Sequence, residues 1–277
     1  MRAIPASPSD AAEPYECACG RWIEPVRFSV LGVDRLLRGT CQPCFEAAEA
    51  AKATAQAARE REDHLIRYRR EFPPSEMGLR LLNASFESFT VRAGTEVALN
   101  RAREFAAALP SPSPPALMLW GGVGNGKSFL GAAITHVARG LGLAVAWVST
   151  PEWLEGLANM EDREKREQLL RMAARAELLV LDELAGGKQT AARSGYLRRI
   201  IDARYRQLTP TVITSNANPD SLAASLDEAG PLEGVGDGTR LVDRLADPSF
   251  ARLVQVTATS YRREAGLRRH KRGAPGC

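Results

Sequence analysis

Short apolar runs alternate with helix-length amphipathic stretches along the sequence from Ala116 onward. Five such runs occur, ALMLW at 116–120, AVAWVS at 144–149, LLVLD at 178–182, TVITS at 211–215 and RLVQVT at 252–257. A brief apolar run followed by a helical pattern is typical of a strand buried in a parallel sheet. The pattern therefore predicts an α/β fold in which helices flank a five-stranded parallel sheet.

Helical patterns fill the segments before and between these runs. Residues 47–70 contain neither Gly nor Pro and are rich in Ala, Glu and Arg, so we predict a helix there, ended by the two prolines at 73–74. A second helix is predicted from Thr95, a suitable N-cap. The remaining predictions are helices at 151–160 and 163–176 and a loop at 230–238.

The composition is that of an ordinary folded chain. Of the 277 residues, 44% are hydrophobic and 25% are charged, and the net charge of +4 permits contact with nucleic acid without requiring it. The longest apolar run, at 141–148, is far shorter than the roughly 20 residues of a membrane span. The N-terminal segment lacks the apolar core of a secretion signal, so we expect a cytoplasmic protein without membrane contacts.

A glycine-rich motif, GGVGNGKS at 121–128, follows the first predicted strand and opens a helix. This context fits a phosphate loop, because glycines let successive backbone N–H groups surround a phosphate at a helix N-terminus. Lys127 is predicted to neutralise the β- and γ-phosphates of ATP, and Ser128 to ligate Mg²⁺. The alternative is a glycine-rich turn without a ligand. The predicted nucleotide-binding residues are Gly121, Gly122, Val123, Gly124, Asn125, Gly126, Lys127, Ser128 and Phe129.

Two acidic residues, Asp182 and Glu183, end the third apolar run. A parallel strand delivers such residues to the C-terminal edge of the sheet, where the phosphate loop lies. We predict that Asp182 holds Mg²⁺ through water and that Glu183 orients the water that attacks the γ-phosphate. The alternative is an acidic N-cap of the next helix. Together with the phosphate loop, the pair predicts a nucleotide hydrolase that binds ATP and releases ADP.

Four of the five cysteines form two close pairs, Cys17 with Cys19 and Cys41 with Cys44. This spacing suits a structural zinc ion held by four thiolates, and a reducing compartment favours metal binding over disulfides. Free thiols are the alternative. The sequence thus predicts a zinc-binding module at 1–46, a helical linker at 47–74 and an ATPase domain at 75–277.

Several segments resemble the DnaC, DnaI and IstB group of AAA+ ATPases. They are GGVGNGKSFL, LLVLDEL, TVITSN, RLVDRL at 240–245 and TSYRR at 259–263. The similarity extends over about 81–263. It implies that the α/β domain is an AAA+ P-loop NTPase.

The resemblance also implies roles for four polar residues beyond the two motifs. Asn216 is similar to the sensor residue that contacts the γ-phosphate or its water, and Arg262 to the second sensor arginine. Either Arg240 or Arg244 resembles the arginine finger that completes the site of a neighbouring subunit, which implies self-association. Simpler alternatives are that Asn216 caps the next helix, that Arg240 and Arg244 pair with aspartates of their own helix, and that Arg262 is a surface cation.

The function that the resemblance implies is ATP-dependent loading of the replicative DNA helicase onto single-stranded DNA, during replication initiation or restart. In DnaI-like members a zinc-bearing N-terminal domain binds the helicase. The basic stretch RREAGLRRHKR at 262–272 suits contact with a phosphate backbone, or is a solvated helix end. Two alternatives remain. One is an IstB-like transposition helper that acts on duplex DNA, which the cysteine module disfavours. The other is a zinc-dependent interaction protein that uses nucleotide as a switch.

Overall fold

The computed structural model describes residues 13–30, 33–184, 186–187, 190–228 and 236–263, with the backbone alone at 27–30 and 33–36. The chain divides into two compact units between Asp63 and His64. Across this described part of the chain, no helix is both long and apolar enough to cross a membrane.

The first unit contains two antiparallel hairpins and most of a long helix. Its elements are β1 (Tyr15–Glu16), β2 (Trp22–Ile23), β3 (Val26–Val30), β4 (Val33–Leu37) and α1 (Gln42–Glu71). In the hairpins β1 pairs with β2 and β3 with β4. Helix α1 begins five residues before the predicted start at Ala47, because Pro43 fits the first turn of a helix, where its missing N–H is not needed.

The second unit contains the C-terminal end of α1 and the strands predicted from the apolar runs. A 3-10 turn at Pro74–Met77 follows α1. The elements that follow are α2 (Glu96–Ala107), β5 (Ala116–Gly121), α3 (Lys127–Gly140), β6 (Val145–Ser149), α4 (Thr150–Ala158), α5 (Arg163–Arg175), β7 (Leu178–Asp182), α6 (Ala191–Gln207), β8 (Thr211–Ser215), α7 (Pro219–Asp227), α8 (Asp237–Ala246) and β9 (Ala251–Val256).

One five-stranded sheet, with the strand order β6-β7-β8-β5-β9, forms the centre of the second unit. Every neighbouring pair runs parallel, which confirms the α/β fold with a five-stranded parallel sheet. Strand β8 lies between β5, which leads into the glycine-rich loop, and β7, which ends in the acidic pair. The C-terminal ends of these three strands therefore meet at one edge of the sheet.

Helices cover both faces of this sheet, and the alternation of side chains along β7 shows how. Leu178 and Val180 pack into a core with residues of α2 and α3, whereas Leu179 and Leu181 pack into a second core with residues of α4 to α8. All four leucine and valine side chains are fully buried. A strand that is buried on both faces needs a continuous apolar run rather than an alternating pattern, which is what LLVL supplies.

Two local predictions differ from the structure. Helix α2 begins after Thr95 as expected, but the Thr95 hydroxyl donates a hydrogen bond to the Arg92 carbonyl at 2.6 Å and makes no side-chain cap for the helix. The predicted loop at 230–238 lies partly outside the described residues, and its last two residues, Asp237 and Gly238, already belong to α8. Asp227 explains this early start, because its carboxylate accepts the Gly238 N–H at 2.7 Å and caps α8 from α7.

A buried arginine joins α6 to the C-terminal end of α5 and the start of β8. The Arg204 side chain is completely buried. Its Nη1 donates to the carbonyls of Ala173, Ala174 and Ala176 at 2.9 to 3.1 Å, its Nε donates to Thr211 Oγ1 at 2.7 Å, and its Nη2 donates to the Pro210 carbonyl. Burial lowers the pKa of this guanidinium, and the five acceptors satisfy its donors. Arg204 thus caps α5 from a neighbouring helix.

Replacing Arg204 with methionine is expected to lower the free energy of unfolding by about 3 kcal/mol, because buried carbonyl groups lose their donor. For a unit of this size the thermal midpoint should fall by about 6–12 °C. Arg206→Met is the matched control, since Arg206 is exposed on the same helix. Thermal unfolding followed by circular dichroism measures both, and equal midpoints for the two variants would contradict the role assigned to Arg204.

Candidate nucleotide and metal sites

The glycine-rich loop connects β5 to α3 in a conformation that only glycine tolerates. Gly121, Gly124 and Gly126 all have positive φ. At Gly121 a Cβ atom would lie 2.3 Å from the Val256 carbonyl oxygen, so strand β9 touches the loop at this point. The arrangement leaves the N-terminus of α3 open to an anion, as phosphate binding requires.

Lys127, the first residue of α3, folds back into this loop. Its Nζ donates to the carbonyls of Gly121 and Gly122 at 2.8 and 2.7 Å and to Asn125 Oδ1 at 3.1 Å. Burial lowers the pKa of Lys127 to about 8, opposed by the negative charges of Asp182 and Glu183. The ammonium group therefore lies at the centre of the loop, with several oxygen acceptors that a phosphate group could replace.

Asn125 fixes the loop to strand β9. Its side chain is fully buried, and its Nδ2 donates to the Val256 carbonyl at 2.8 Å while its Oδ1 accepts from Lys127. Phe129 makes a ring contact instead of a polar one, because the centre of its ring lies 5.6 Å from the centre of the Phe89 ring. Gly122 and Val123 are the exposed members of the nine predicted loop residues, and 65% of the Val123 surface is open to solvent.

Asp182 ends β7 as a largely buried carboxylate. Its Oδ1 accepts the hydroxyl of Thr214 at 2.5 Å, from the neighbouring strand β8. Burial raises the pKa of Asp182, and hydrogen bonds from Thr214 and Ser128 oppose that shift. Because Ser128, the second residue of α3, makes this hydrogen bond, the hydroxyl and the carboxylate predicted to bind Mg²⁺ lie side by side. Oxygen ligands of this kind are the ones Mg²⁺ prefers.

Glu183 leaves the strand in a left-handed conformation, with φ of 57°, which is rare for a residue other than glycine. Its backbone N–H donates to Thr214 Oγ1 at 3.0 Å, so Thr214 holds both acidic residues. The Glu183 side chain is exposed and free to meet a water molecule. Neither acid caps the next helix, because Thr190 caps α6 by accepting the Arg193 N–H at 3.4 Å.

Asn216 follows β8 and contacts the phosphate loop directly. Its Oδ1 accepts a hydrogen bond from Lys127 Nζ at 3.0 Å. The alternative reading, in which Asn216 caps the next helix, is wrong, because Asn218 does so by accepting the Ser221 N–H at 2.7 Å. Lys127, Asp182, Glu183 and Asn216 are thus brought together at one edge of the sheet.

The two candidate finger arginines lie on α8, in different surroundings. Arg244 Nη2 is 3.1 Å from Asp202 Oδ1, and its guanidinium lies 5.8 Å from the Tyr205 ring centre. Arg240 is exposed and forms no ion pair within the described residues. Among the described residues neither arginine pairs with Asp237 or Asp243 of its own helix, and Asp237 instead pairs with Arg198 at 2.6 Å. Both arginines line a surface cavity of about 690 Å³.

The second predicted sensor, Arg262, lies in the short segment that follows β9. The preceding residue, Tyr261, donates its backbone N–H to the Gly124 carbonyl at 2.9 Å, which places this segment on the phosphate loop. The Arg262 side chain is exposed. Most of the basic stretch at 262–272 lies outside the described residues, the last of which is Arg263.

Two further residues, Thr214 and Arg92, also contact these elements, although no sequence pattern indicates them. Thr214 lies inside the apolar run TVITS, where a threonine signals nothing more than a strand. Arg92 donates to the carbonyl of Thr259, 167 residues further along the chain. No local pattern could have indicated either contact, because both depend on which strands and segments are neighbours in the folded chain.

The four cysteines of the first unit form one cluster, in which all Sγ atoms lie within 4.8 Å of one another. Four sulfurs around zinc at about 2.3 Å are roughly 3.8 Å apart, so only small side-chain movements separate this cluster from a tetrahedral site. Cys17 begins a tight turn in which its N–H donates to the Arg21 carbonyl, and Cys41 and Cys44 flank the start of α1.

The cysteine cluster also has the electrostatics of a cation site. The Cys41 backbone N–H donates to Cys17 Sγ and lowers the pKa of Cys17 to about 6. Contacts with the other thiols, that of Cys19 first, raise the pKa of Cys44 to about 12. Four crowded thiols cannot all ionise unless a cation compensates their charge. The donor set therefore fits Zn²⁺, which would be held by Cys17, Cys19, Cys41 and Cys44.

The phosphate loop, the paired acids and the parallel sheet define a P-loop nucleotide-binding protein with the AAA+ fold. More particularly, the chain belongs to the family of IstB-like ATP binding proteins, whose profile matches residues 62–269. Membership of this family implies binding of ATP and Mg²⁺.

The chain is also similar to two curated proteins and to one solved structure. The replicative helicase loader DnaC of Escherichia coli K12 is 26% identical over 208 residues, which cover 71% of this chain and 84% of that protein. A Mycobacterium tuberculosis protein named as an ATP-binding protein in an insertion sequence is 28% identical over 138 residues, 50% of this chain and 55% of that one. A crystal structure of the DnaC helicase loader has the same fold, with a TM-score of 0.54, 21% identity and coverage of 65% and 100%.

Proposed function

We propose that this protein is an ATP-dependent loader of a replicative DNA helicase onto single-stranded DNA. The observation that carries the proposal is the cluster of four cysteines in a unit separate from the ATPase site. A structural metal site contributes nothing to phosphate chemistry, so its unit is available to bind a partner protein. The similarity to DnaC, over 84% of the length of that loader, supports the same function.

ATP hydrolysis is the proposed chemistry of the sheet edge. Lys127 and the N–H groups of the phosphate loop bind the phosphates, and Ser128 and Asp182 hold Mg²⁺, which supplies charge stabilisation to the phosphoryl oxygens. Glu183 orients the attacking water and Asn216 contacts the γ-phosphate side of the site, because its amide already reaches Lys127. Hydrolysis would then release the loader from the helicase.

The first unit exposes large apolar side chains that suit a protein partner. Trp22 in β2 is 70% exposed and Phe45 in α1 is 54% exposed. Aromatic side chains of this kind contribute strongly to binding when a partner covers them, and they are costly to leave in water. We propose that Trp22 and Phe45 contact the helicase.

Native mass spectrometry of the protein mixed with the replicative helicase of its own cell tests the proposal. With a non-hydrolysable ATP analogue and single-stranded DNA we expect a stoichiometric complex, because the step that releases the loader is blocked. Trp22→Ala and Phe45→Ala should each weaken it at least about tenfold. Leu79→Ala is the control, because Leu79 is an 87% exposed apolar residue of the second unit and should leave the complex unchanged.

A transposition helper is the second candidate function, favoured by the match to the insertion-sequence protein of M. tuberculosis. That function predicts no complex with the helicase and instead assembly with ATP on duplex DNA. The same mass measurement, repeated with duplex DNA in place of the helicase, separates the two functions. Assembly on duplex DNA together with no helicase complex would overturn the loader proposal.

Self-association through α8 is the remaining part of the proposal. Arg240 is free to reach a neighbouring subunit, whereas Arg244 is held in place by Asp202 and Tyr205. A trans-acting arginine stabilises charge on the transferring phosphoryl group and is worth about 10³-fold or more in turnover. Only one of the variants Arg240→Ala and Arg244→Ala should therefore show this loss of turnover in trans, because only the finger residue acts on the site of another subunit.

Mixing subunits identifies the finger. A finger variant keeps an intact hydrolytic site, and Glu183→Gln subunits keep an intact finger. Adding Glu183→Gln subunits should therefore restore ATP hydrolysis to the finger variant and not to the other arginine variant. Steady-state phosphate release measures the recovery. If neither variant recovers, no arginine of α8 acts in trans.

A further inference from the structure

The segment that follows β9, residues 257–263, crosses the phosphate loop, and we refer to it as the strap. Tyr261 donates its backbone N–H to the Gly124 carbonyl at 2.9 Å. At Gly124 a Cβ atom would lie 2.5 Å from Ser260 Oγ, so the strap and the loop are in close contact. The strap also carries Arg262. The position of Arg262 relative to a bound nucleotide therefore depends on how the strap is held.

Arg92, in the turn before α2, also holds the strap. Its Nη1 donates to the Thr259 carbonyl at 2.8 Å, and its guanidinium lies 5.4 Å from the centre of the Tyr261 ring. The two contacts flank Ser260, which together with the Tyr261 N–H touches the phosphate loop at Gly124. A planar guanidinium can make a directional hydrogen bond and a ring contact together, which a lysine ammonium cannot reproduce.

The backbone of Arg92 is itself fixed at the start of α2. Its N–H donates to Thr95 Oγ1 at 2.9 Å, and the Thr95 hydroxyl returns a hydrogen bond to the Arg92 carbonyl. The Gly94 carbonyl accepts the Thr257 N–H at 3.2 Å. A Cβ at Gly94 would lie 2.4 Å from Thr257 Oγ1. The turn before α2 and the strap thus form one packed unit, in which Arg92 makes the contacts nearest to Arg262.

We propose that Arg92 is a positioning residue for ATP hydrolysis, which acts by holding the strap on the phosphate loop and so setting the position of Arg262. The inference rests on the proposed hydrolytic function and on the role proposed for Arg262. It does not require Arg92 to touch the nucleotide. A displacement of about 1 Å in a catalytic group can cost up to about 100-fold in rate, so loss of two contacts beside Arg262 has a measurable effect.

A double-mutant cycle on the full chain tests this role. We expect Arg262→Ala to lower kcat/KM for ATP hydrolysis about 100-fold and Arg92→Ala to lower it about tenfold. If Arg92 acts through Arg262, the double variant should match Arg262→Ala rather than show the about 1000-fold product of independent effects. Arg92→Lys keeps a donor for Thr259 and should recover part of the loss.

Arg103→Ala is the matched control. Arg103 lies on α2, donates to the Phe86 carbonyl at 3.3 Å and sits 6.0 Å from the Phe86 ring, so it makes the same two kinds of contact without touching the strap. The Arg103→Ala variant should hydrolyse ATP at the normal rate. Multiplicative losses in the double variant, or an equal loss in Arg103→Ala, would overturn the positioning role while the proposed function stands. Normal hydrolysis by Arg262→Ala would instead remove the sensor role of Arg262 and the positioning role with it.

Discussion

Replacing Glu183 with glutamine is expected to reduce ATP hydrolysis about 100-fold or more while ATP still binds. Glutamine has the same size but cannot accept a proton from the attacking water, and general base catalysis of this kind contributes about 10²–10⁴-fold. The neighbouring groups proposed to bind phosphate and Mg²⁺ should be unchanged, because Asp182 and the Glu183 backbone N–H are both held by Thr214. Phosphate release gives the turnover, and equilibrium binding of a fluorescent ATP analogue gives the affinity.

A control substitution at a second acidic residue separates the loss of the base from a general loss of negative charge. Glu164 is exposed on α5, and Glu164→Gln removes the same charge without touching the sheet edge. We expect normal turnover and normal affinity from that control. If Glu183→Gln hydrolysed ATP as fast as Glu164→Gln, Glu183 would not be the base, and the hydrolytic mechanism proposed for this site would fail.

Glu183→Gln also tests whether hydrolysis releases the partner, because this variant should stay in the ATP-bound state. A loader released by hydrolysis should remain on its helicase when hydrolysis is blocked, so the variant should accumulate the complex that the parent protein loses. A switch that responds only to nucleotide binding would release its partner at the same rate in both proteins. The comparison therefore separates the loader from a zinc-dependent interaction protein that uses nucleotide as a switch.

The sequence predicted those parts of the fold and the site that depend on the residue pattern of a short segment. LLVLD and TVITS coincide with β7 and β8, because a strand buried on both faces leaves an unbroken apolar run. The phosphate loop needs glycine where φ is positive, and that requirement is visible in the composition of the motif. The phosphate loop and the acidic pair then lie close together, because the C-terminal ends of parallel strands meet at the same edge of the sheet.

The rest depends on contacts between distant segments, which one sequence does not record. Two asparagines, Asn216 and Asn218, follow the run TVITS, and only the adjacency of β5 and β8 shows that Asn216 reaches Lys127 while Asn218 caps α7. From its sequence position in the last turn of α6, Arg204 is expected to be a surface cation, but its side chain is buried. Sequence patterns give the type of residue, and the fold decides which of several similar residues is used.

Loss of zinc is expected to unfold the first unit while the nucleotide site keeps its function. Of the side chains described in residues 13–63, only Cys17 and Cys41 are buried, so the described part of this unit has almost no apolar core. Small units of this kind depend on a metal, and zinc supplies on the order of 10 kcal/mol to comparable folds. Cys41→Ser should therefore lose its zinc and the helicase complex. Its ATP affinity should match that of the parent protein.

The measurements are zinc content by atomic emission, limited proteolysis of residues 13–41 and ATP binding, each on the full chain. Cys277→Ser is the control, because it makes the same substitution outside the four-cysteine cluster. We expect one zinc per chain in the parent and in Cys277→Ser, and rapid proteolysis of the first unit in Cys41→Ser alone. A protein prepared with zinc present that binds none, or a Cys41→Ser variant that keeps its zinc, would show that the cluster is a set of free thiols.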